Sequence, residues 1–266
     1  MIRWVDSHCH PHLIIDEPDS PKLAIKEAVD GNIRILCVSV EIDDYETFAG
    51  YKKLYPNNVV FSAGQHPLHE NDNANWEKLA HHAATDKNIV AIGETGFDFQ
   101  GNEAVQRNAF EKQVEIACAN DLPIILHTRD SGDGAIEKLT KAEITNATRV
   151  HSNLTGVFHC FTGSIELAEF AINAGWYISF SGIITFKSAN SIREVAMHLY
   201  KNGYLNKMLI ETDSPYLAPT PMRGKTNQPG YVRYVGEYLA QFFEHDLADF
   251  AAQLEKNFDT LFKSRE

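Results

Sequence analysis

Around Met1 to Asp6 the sequence has no basic stretch leading into an apolar run, so no secretory signal is expected. No segment approaches the roughly 18 apolar residues of a membrane span, which predicts a soluble protein without a membrane partner. Cysteine is scarce: Cys9, Cys37, Cys118 and Cys160 lie far apart with no C-x-x-C pair. That spacing fits reduced thiols in a cytoplasmic protein rather than a disulfide framework. Positive charge is also short, with 24 Lys plus Arg against 36 Asp plus Glu and a net charge of -12. Bulk adhesion to nucleic acid or an anionic membrane is therefore excluded, and a phosphate-bearing partner has to be held locally. Bound divalent ions would reverse the sign at one point, a contribution the sequence sum does not count. Low-complexity tracts and close internal repeats are missing, which excludes a solenoid.

What is present is a folded composition, 44 % hydrophobic and 23 % charged over 266 residues. β-Branched runs alternate with helix-like segments along the whole chain. The predicted strands are Ile2 to Asp6, Ile33 to Val40, Val59 to Ala63, Ile89 to Gly93, Pro123 to His127, Gly156 to His159, Trp176 to Ser181 and Met208 to Asp213. Asn102 to Ala119 reads as a helix, with Phe110, Val114 and Ala117 on one face. A last helix begins at Asp246, a natural N-cap, and places Leu247, Phe250, Ala251, Leu254, Phe258 and Leu261 on one stripe. Eight strand–helix units at about 33 residues each match a (β/α)8 TIM barrel spanning residues 1–266 as a single domain. The open doubly wound sheet shares this alternation, but it would normally carry a Gly-rich turn where this chain has Asp6-Ser7-His8-Cys9-His10.

That segment is the strongest local signal. Side chains two apart on a strand share a face, so His8 and His10 converge at the barrel mouth, in position to grip a metal. Cys9 and Cys160, by the same alternation, are expected to face the helical shell as ordinary buried thiols. Glu94 ends the fourth predicted strand, His127 the fifth, His159 the sixth and Asp213 the eighth. All strand termini of a closed barrel crowd one rim, so these side chains should meet in one pocket. Four histidines with two carboxylates suggest two divalent ions bridged by a carboxylate.

The chain resembles the TatD family of metal-dependent hydrolases. The resemblance rests on Asp6-Ser7-His8-Cys9-His10, Gly93-Glu94-Thr95-Gly96-Phe97-Asp98, Leu126-His127-Thr128-Arg129-Asp130, His159-Cys160-Phe161-Thr162-Gly163 and Glu211-Thr212-Asp213-Ser214-Pro215-Tyr216-Leu217, in family order over nearly the whole chain. It implies a barrel of the metallo-dependent hydrolase type with a divalent metal centre. It also implies deoxyribonuclease activity, often from the 3′ end. Carried over, the ligands would be His8, His10, Glu94, His127, His159 and Asp213.

In the resulting scheme His8, His10 and Asp213 hold one ion, His127 and His159 the second, and Glu94 bridges them. The ions lower the pKa of a water that attacks phosphorus, and Asp213 accepts its proton. Glu211, two residues before Asp213 on the same strand face, is expected to support the centre from behind, and Asp98 to orient a ligand or the substrate. Arg129, Arg223 and Lys225 are the expected phosphate clamps. Arg223 and Lys225 lie in a loop resembling the family's R-G-K-x-N-E-P segment, with Gln228 where Glu is common. His66 is expected in the pocket, from a segment resembling G-x-H-P-H in which Leu68 replaces the second His; His69 is a weaker candidate.

DNA or an oligonucleotide is the expected substrate, and the ions are Mg2+, Mn2+ or Zn2+. The alternatives are an amidohydrolase or lactonase using the same centre, or a metal-loaded scaffold without turnover.

Overall fold

Ile33 to Cys37 and Ile124 to Leu126 are runs of the kind that parallel strands covered on both faces require. In the computed structural model, which describes residues 2–17, 19–69 and 74–263, they belong to one sheet of eight parallel strands in the order β1 to β8. The strands are β1 (Trp4–Cys9), β2 (Ile33–Cys37), β3 (Val59–Ala63), β4 (Ile89–Asp98), β5 (Ile124–Arg129), β6 (Gly156–Phe158), β7 (Tyr177–Phe180) and β8 (Met208–Ile210). The sheet curls until its ends meet. Asp213 N–H donates to the His8 carbonyl at 2.9 Å and His10 N–H to the Ser214 carbonyl at 2.8 Å. Buried Asp6 strengthens this seam by accepting from the Thr212 amide at 2.9 Å and the Thr212 hydroxyl at 2.6 Å.

Around the strands run α1 (Ser20–Asp30), α2 (Tyr45–Leu54), α3 (Trp76–Thr85), α4 (Glu103–Ala119), α5 (Ala135–Val150), α6 (Ile165–Asn173), α7 (Asn190–Lys201), α8 (Val232–Phe242) and α9 (Leu247–Leu261). Side-chain caps start several of them: Asn102 accepts from Ala104 and Val105, and Asp246 from Ala248 and Asp249. Asp130 does the same for α5, taking the amides of Gly132, Gly134 and Ile136, which explains its place in the Leu126-to-Asp130 motif. The expected α9 stripe is the buried one, from Phe250 through Leu261, with Leu247 half-buried at its start. No helix among the described residues is long and apolar enough to cross a membrane.

The elements differ from expectation mainly at their ends. Glu94 lies inside β4, which runs on to Asp98, rather than at a strand terminus. Its neighbours make this possible: Gly93 and Gly96 have φ of +137° and +139°, a region only glycine visits freely. The β4–β5 register shifts between Ile92 and Thr95, which aims Glu94 at the barrel axis. A Cβ on Gly96 would collide with the His127 backbone carbonyl. Gly96→Ala is therefore expected to destabilise by about 2–4 kcal/mol, from strain at a positive φ plus overpacking. Urea unfolding of the metal-free protein reads this directly, and an unchanged midpoint would contradict it. His159 and Asp213, in contrast, lie beyond β6 and β8, in the connecting segments.

Candidate metal centre

His8 is a buried residue of β1 and His10 follows that strand; their Nε2 atoms lie 3.0 Å apart. Each also approaches Glu94 Oε2, at 3.3 Å from His8 and 3.6 Å from His10. Asp213 Oδ1 completes the group at 3.7 Å and 3.6 Å from the same two nitrogens. The other carboxylate oxygen, Glu94 Oε1, meets a second set: His127 Nδ1 at 2.7 Å, His159 Nε2 at 2.7 Å and His66 Nε2 at 3.4 Å. One carboxylate thus faces two clusters, one through each oxygen.

The protons behind two of these rings are fixed by hydrogen-bond partners, and a third ring has a carboxylate behind it. His10 Nδ1 lies 2.8 Å from the Val38 carbonyl and His127 Nε2 lies 3.0 Å from Asp98 Oδ2, so each must donate there. His159 Nδ1 faces Glu211 Oε1 at 3.4 Å, and that oxygen also accepts the Cys160 amide at 2.6 Å. The opposite nitrogens, His10 Nε2, His127 Nδ1 and His159 Nε2, are left to point lone pairs at Glu94 and Asp213. Lone pairs opposed at 2.7–3.6 Å repel unless a proton or a cation lies between them. The mixed imidazole and carboxylate donor set fits first-row divalent ions, and outer carboxylates that orient the ligating histidines are the usual support of such sites. His8, His10 and Glu94 form one group spaced to hold an ion, and His66, Glu94 and His127 another.

The titration behaviour agrees. Burial alone would raise Glu94, but the charges of His159, His66 and His8 hold it well below the ordinary carboxylate value. Asp213, half-buried, is lowered by the neighbouring His10, His8 and His159 imidazoles against the desolvation that would raise it. Burial works against a charged His159, yet Glu94 and Glu211 hold it well above the ordinary 6.5. His127 and His10 are raised by their carboxylate partners against the same burial. The metal-free centre therefore keeps imidazole protons above pH 6.5 that a bound cation has to displace. Metal uptake near neutral pH is expected to release protons, and apparent affinity to rise with pH. Calorimetric titrations in buffers of different ionisation enthalpy measure this, and equal heats in all of them would contradict it.

The centre forms the floor of a cleft of about 650 Å³, lined toward the mouth by Leu68, Arg129, Ile183, Tyr216 and Leu217. Arg129 is the one Lys or Arg lining it among the described residues; its guanidinium lies over the Phe99 ring and 3.9 Å from Asp98. Arg223 and Lys225 are absent from this lining. Arg223 stacks on Phe186 at 3.8 Å and Lys225 is exposed, because the segment after β8 carries them past the mouth instead of into it. Cys160 also departs from expectation. It lines the cleft, since it lies beyond β6 at φ +43°, where strand alternation no longer applies. Cys9 is buried, donating to the Leu36 carbonyl. His69 is at the rim, paired with Glu41 at 3.2 Å.

Asp6 is the supporting group that residue-type reasoning passed over. Besides Thr212 it accepts from the His8 amide at 3.3 Å, so it ties both ligand-bearing segments together. Burial pushes its own carboxyl well above the ordinary value. Only its position in the motif, two residues before His8, signalled it.

A family model described as TatD related DNase matches residues 5–263. The chain belongs to the TatD family of metal-dependent hydrolases. It is 36 % identical over 272 residues to the metal-dependent hydrolase YcfH of Escherichia coli K12, covering 97 % of this chain and 95 % of that one. It is 32 % identical over 263 residues to YabD of Bacillus subtilis, covering 96 % and 97 %. Among solved structures, the TatD homologue YjjV of Escherichia coli superposes with a TM-score of 0.84 at 24 % identity, covering 99 % of both chains.

For this TatD-family chain, Asp98→Asn is expected to weaken metal affinity about 10–100-fold, since an amide no longer dictates which His127 nitrogen holds the proton. Competition titration against a chromogenic chelator would measure it. Wild-type affinity in the folded variant would show that Asp98 does not orient His127.

Proposed function

We propose that this protein hydrolyses phosphodiester bonds in DNA, trimming single-stranded ends from the 3′ side with two divalent ions at Glu94. The observation that carries the reading is the two-sided Glu94: one carboxylate with imidazoles on each oxygen, at the floor of a cleft that Arg129 overlooks. His8, His10 and Asp213 would hold one ion, His127 and His159 the other, and Glu94 would bridge them. Divalent ions there lower the pKa of water and neutralise charge on phosphate oxygens. Asp213, held ionised at neutral pH, takes the proton of the attacking water. Glu211 and Asp98 keep His159 and His127 aimed inward. Arg129 offers a planar, permanently charged donor to a flanking phosphate.

Size and charge favour strand ends. A cleft of about 650 Å³ lies within the 300–1,000 Å³ range of small-ligand pockets, so it suits a terminal nucleotide or two rather than a duplex. The net charge of -12 supplies no cationic track for long DNA. The amide and lactone alternative is less favoured, because hydrolases of that kind often bridge their metals through a carboxylated lysine and no lysine lines this cleft among the described residues.

Single-stranded oligonucleotides labelled at either end, a nitrophenyl phosphate diester and a cyclic amide, each assayed with Mg2+, Mn2+ and Zn2+, test the proposal. Turnover of the first two with stepwise loss from the 3′ end is expected. Hydrolysis of the amide alone, or no turnover of any, would overturn it.

A further inference from the structure

His66 is grouped by distance with Glu94 and His127 as though it were one more ligand, its Nε2 lying 3.4 Å from Glu94 Oε1. What lies behind the ring contradicts that grouping. The Leu68 backbone N–H donates to His66 Nδ1 at 3.0 Å. A peptide N–H has no lone pair, so Nδ1 must be the acceptor and the neutral ring carries its proton on Nε2. His10, His127 and His159 have the opposite arrangement, with a carbonyl or carboxylate behind the ring. The partner behind the ring therefore sorts these four histidines into three that present a lone pair and one that presents N–H.

The loop around His66 is built to hold this orientation. Its own amide donates to the Val40 carbonyl at 2.9 Å. Two buried glutamines of α4 pin the flanking residues: Gln113 accepts the Gln65 amide at 2.9 Å and donates to the Gln65 carbonyl at 3.0 Å, while Gln106 donates to the Pro67 carbonyl at 3.4 Å. The ring is 14 % exposed, open only to the cleft it lines.

We propose that His66 is not a metal ligand but the hydrogen-bond donor of the centre, binding an anionic oxygen of the substrate through Nε2–H. The identity of that oxygen as a non-bridging phosphate oxygen rests on the phosphodiesterase reading; the donor assignment rests on the Leu68 hydrogen bond. A ring that carries hydrogen on Nε2 cannot give that nitrogen to a cation. It can turn its N–H from Glu94, 3.4 Å away, to an incoming anion without gaining or losing a proton.

The test uses the metal-loaded protein with His66→Ala and His66→Gln, the latter placing an amide N–H near the lost Nε2. Metal content and the affinity for inorganic phosphate are measured for each, together with a long-range 1H–15N spectrum of the wild type. Expected results are wild-type metal content in both variants, a proton on Nε2 of His66 in the spectrum, and phosphate binding weakened about 10–100-fold in His66→Ala, as for a lost hydrogen bond to a charged group. His66→Gln should restore most of that binding.

Loss of a metal equivalent in His66→Ala would overturn the proposal by making His66 a ligand; unchanged phosphate affinity would overturn it by making the donor idle. The phosphodiesterase reading fails separately. A wild type that binds phosphate through His66 but cleaves no diester removes that reading and keeps the donor. A wild type that cleaves diesters, with a His66→Ala variant that cleaves them equally well, does the reverse.

Discussion

Glu94→Gln is expected to lower kcat by about three orders of magnitude and metal affinity by at least about 100-fold. Both figures follow from losing the one charge shared by two clusters. Glutamine keeps the volume and the position in β4, so a wild-type fold isolates the electrostatic effect. Its amide offers one oxygen where the carboxylate offers two. Either His8 and His10, or His127 and His159, would then face an N–H at close range. Elemental analysis and steady-state kinetics read the two effects together. Full metal content with undiminished turnover would remove Glu94 from the centre, and the two-ion reading with it.

Asp213→Asn should lower kcat by about 10²–10⁴-fold, the usual weight of a positioned proton acceptor, with a smaller change in KM. Its main-chain anchors, Asp213 N–H to the His8 carbonyl and Tyr216 N–H to the Asp213 carbonyl, remain in the variant. Asparagine also tolerates the φ of +55° found there. The distinguishing measurement is the split between kcat and KM. A base makes its contribution in the transition state, whereas a group that only holds substrate raises KM. Asp213 is also a candidate ligand on the His8 and His10 side, so metal content is measured in parallel. Unchanged kcat in a fully loaded variant would assign the base elsewhere.

Much of the centre was legible because its residue types and the barrel rule act together. His8, His10, Glu94, His127, His159 and Asp213 are polar groups at or near the carboxyl ends of apolar strands, and closure of the sheet forces those ends together. The positions of Arg223 and Lys225 were not legible for the opposite reason. They lie in a long segment after β8 with no period-2 or period-3.6 pattern, so residue type alone does not show that they stay outside the cleft lining, with Arg223 stacked on Phe186. Cys160 was misplaced because strand alternation was extended two residues beyond β6.

Among the aromatics that follow or end strands near the rim, Phe97 and Phe161 are buried, whereas Phe99 and Tyr216 are exposed at 44 % and 57 %. Spacing cannot separate these, because both kinds follow strands.

Strand and helix succession, the shared rim of the ligand-type residues and the deficit of positive charge are properties of the linear chain, set by periodicity and residue chemistry that need no partner. Which nitrogen of each histidine holds a proton is not such a property. Val38, Asp98, Glu211 and Leu68 decide it for His10, His127, His159 and His66, and for the first three these partners lie 28 to 52 positions away, brought near only by the assembly of the sheet. Folding therefore settles what an identical side chain does, because an imidazole becomes ligand or donor according to the group behind it.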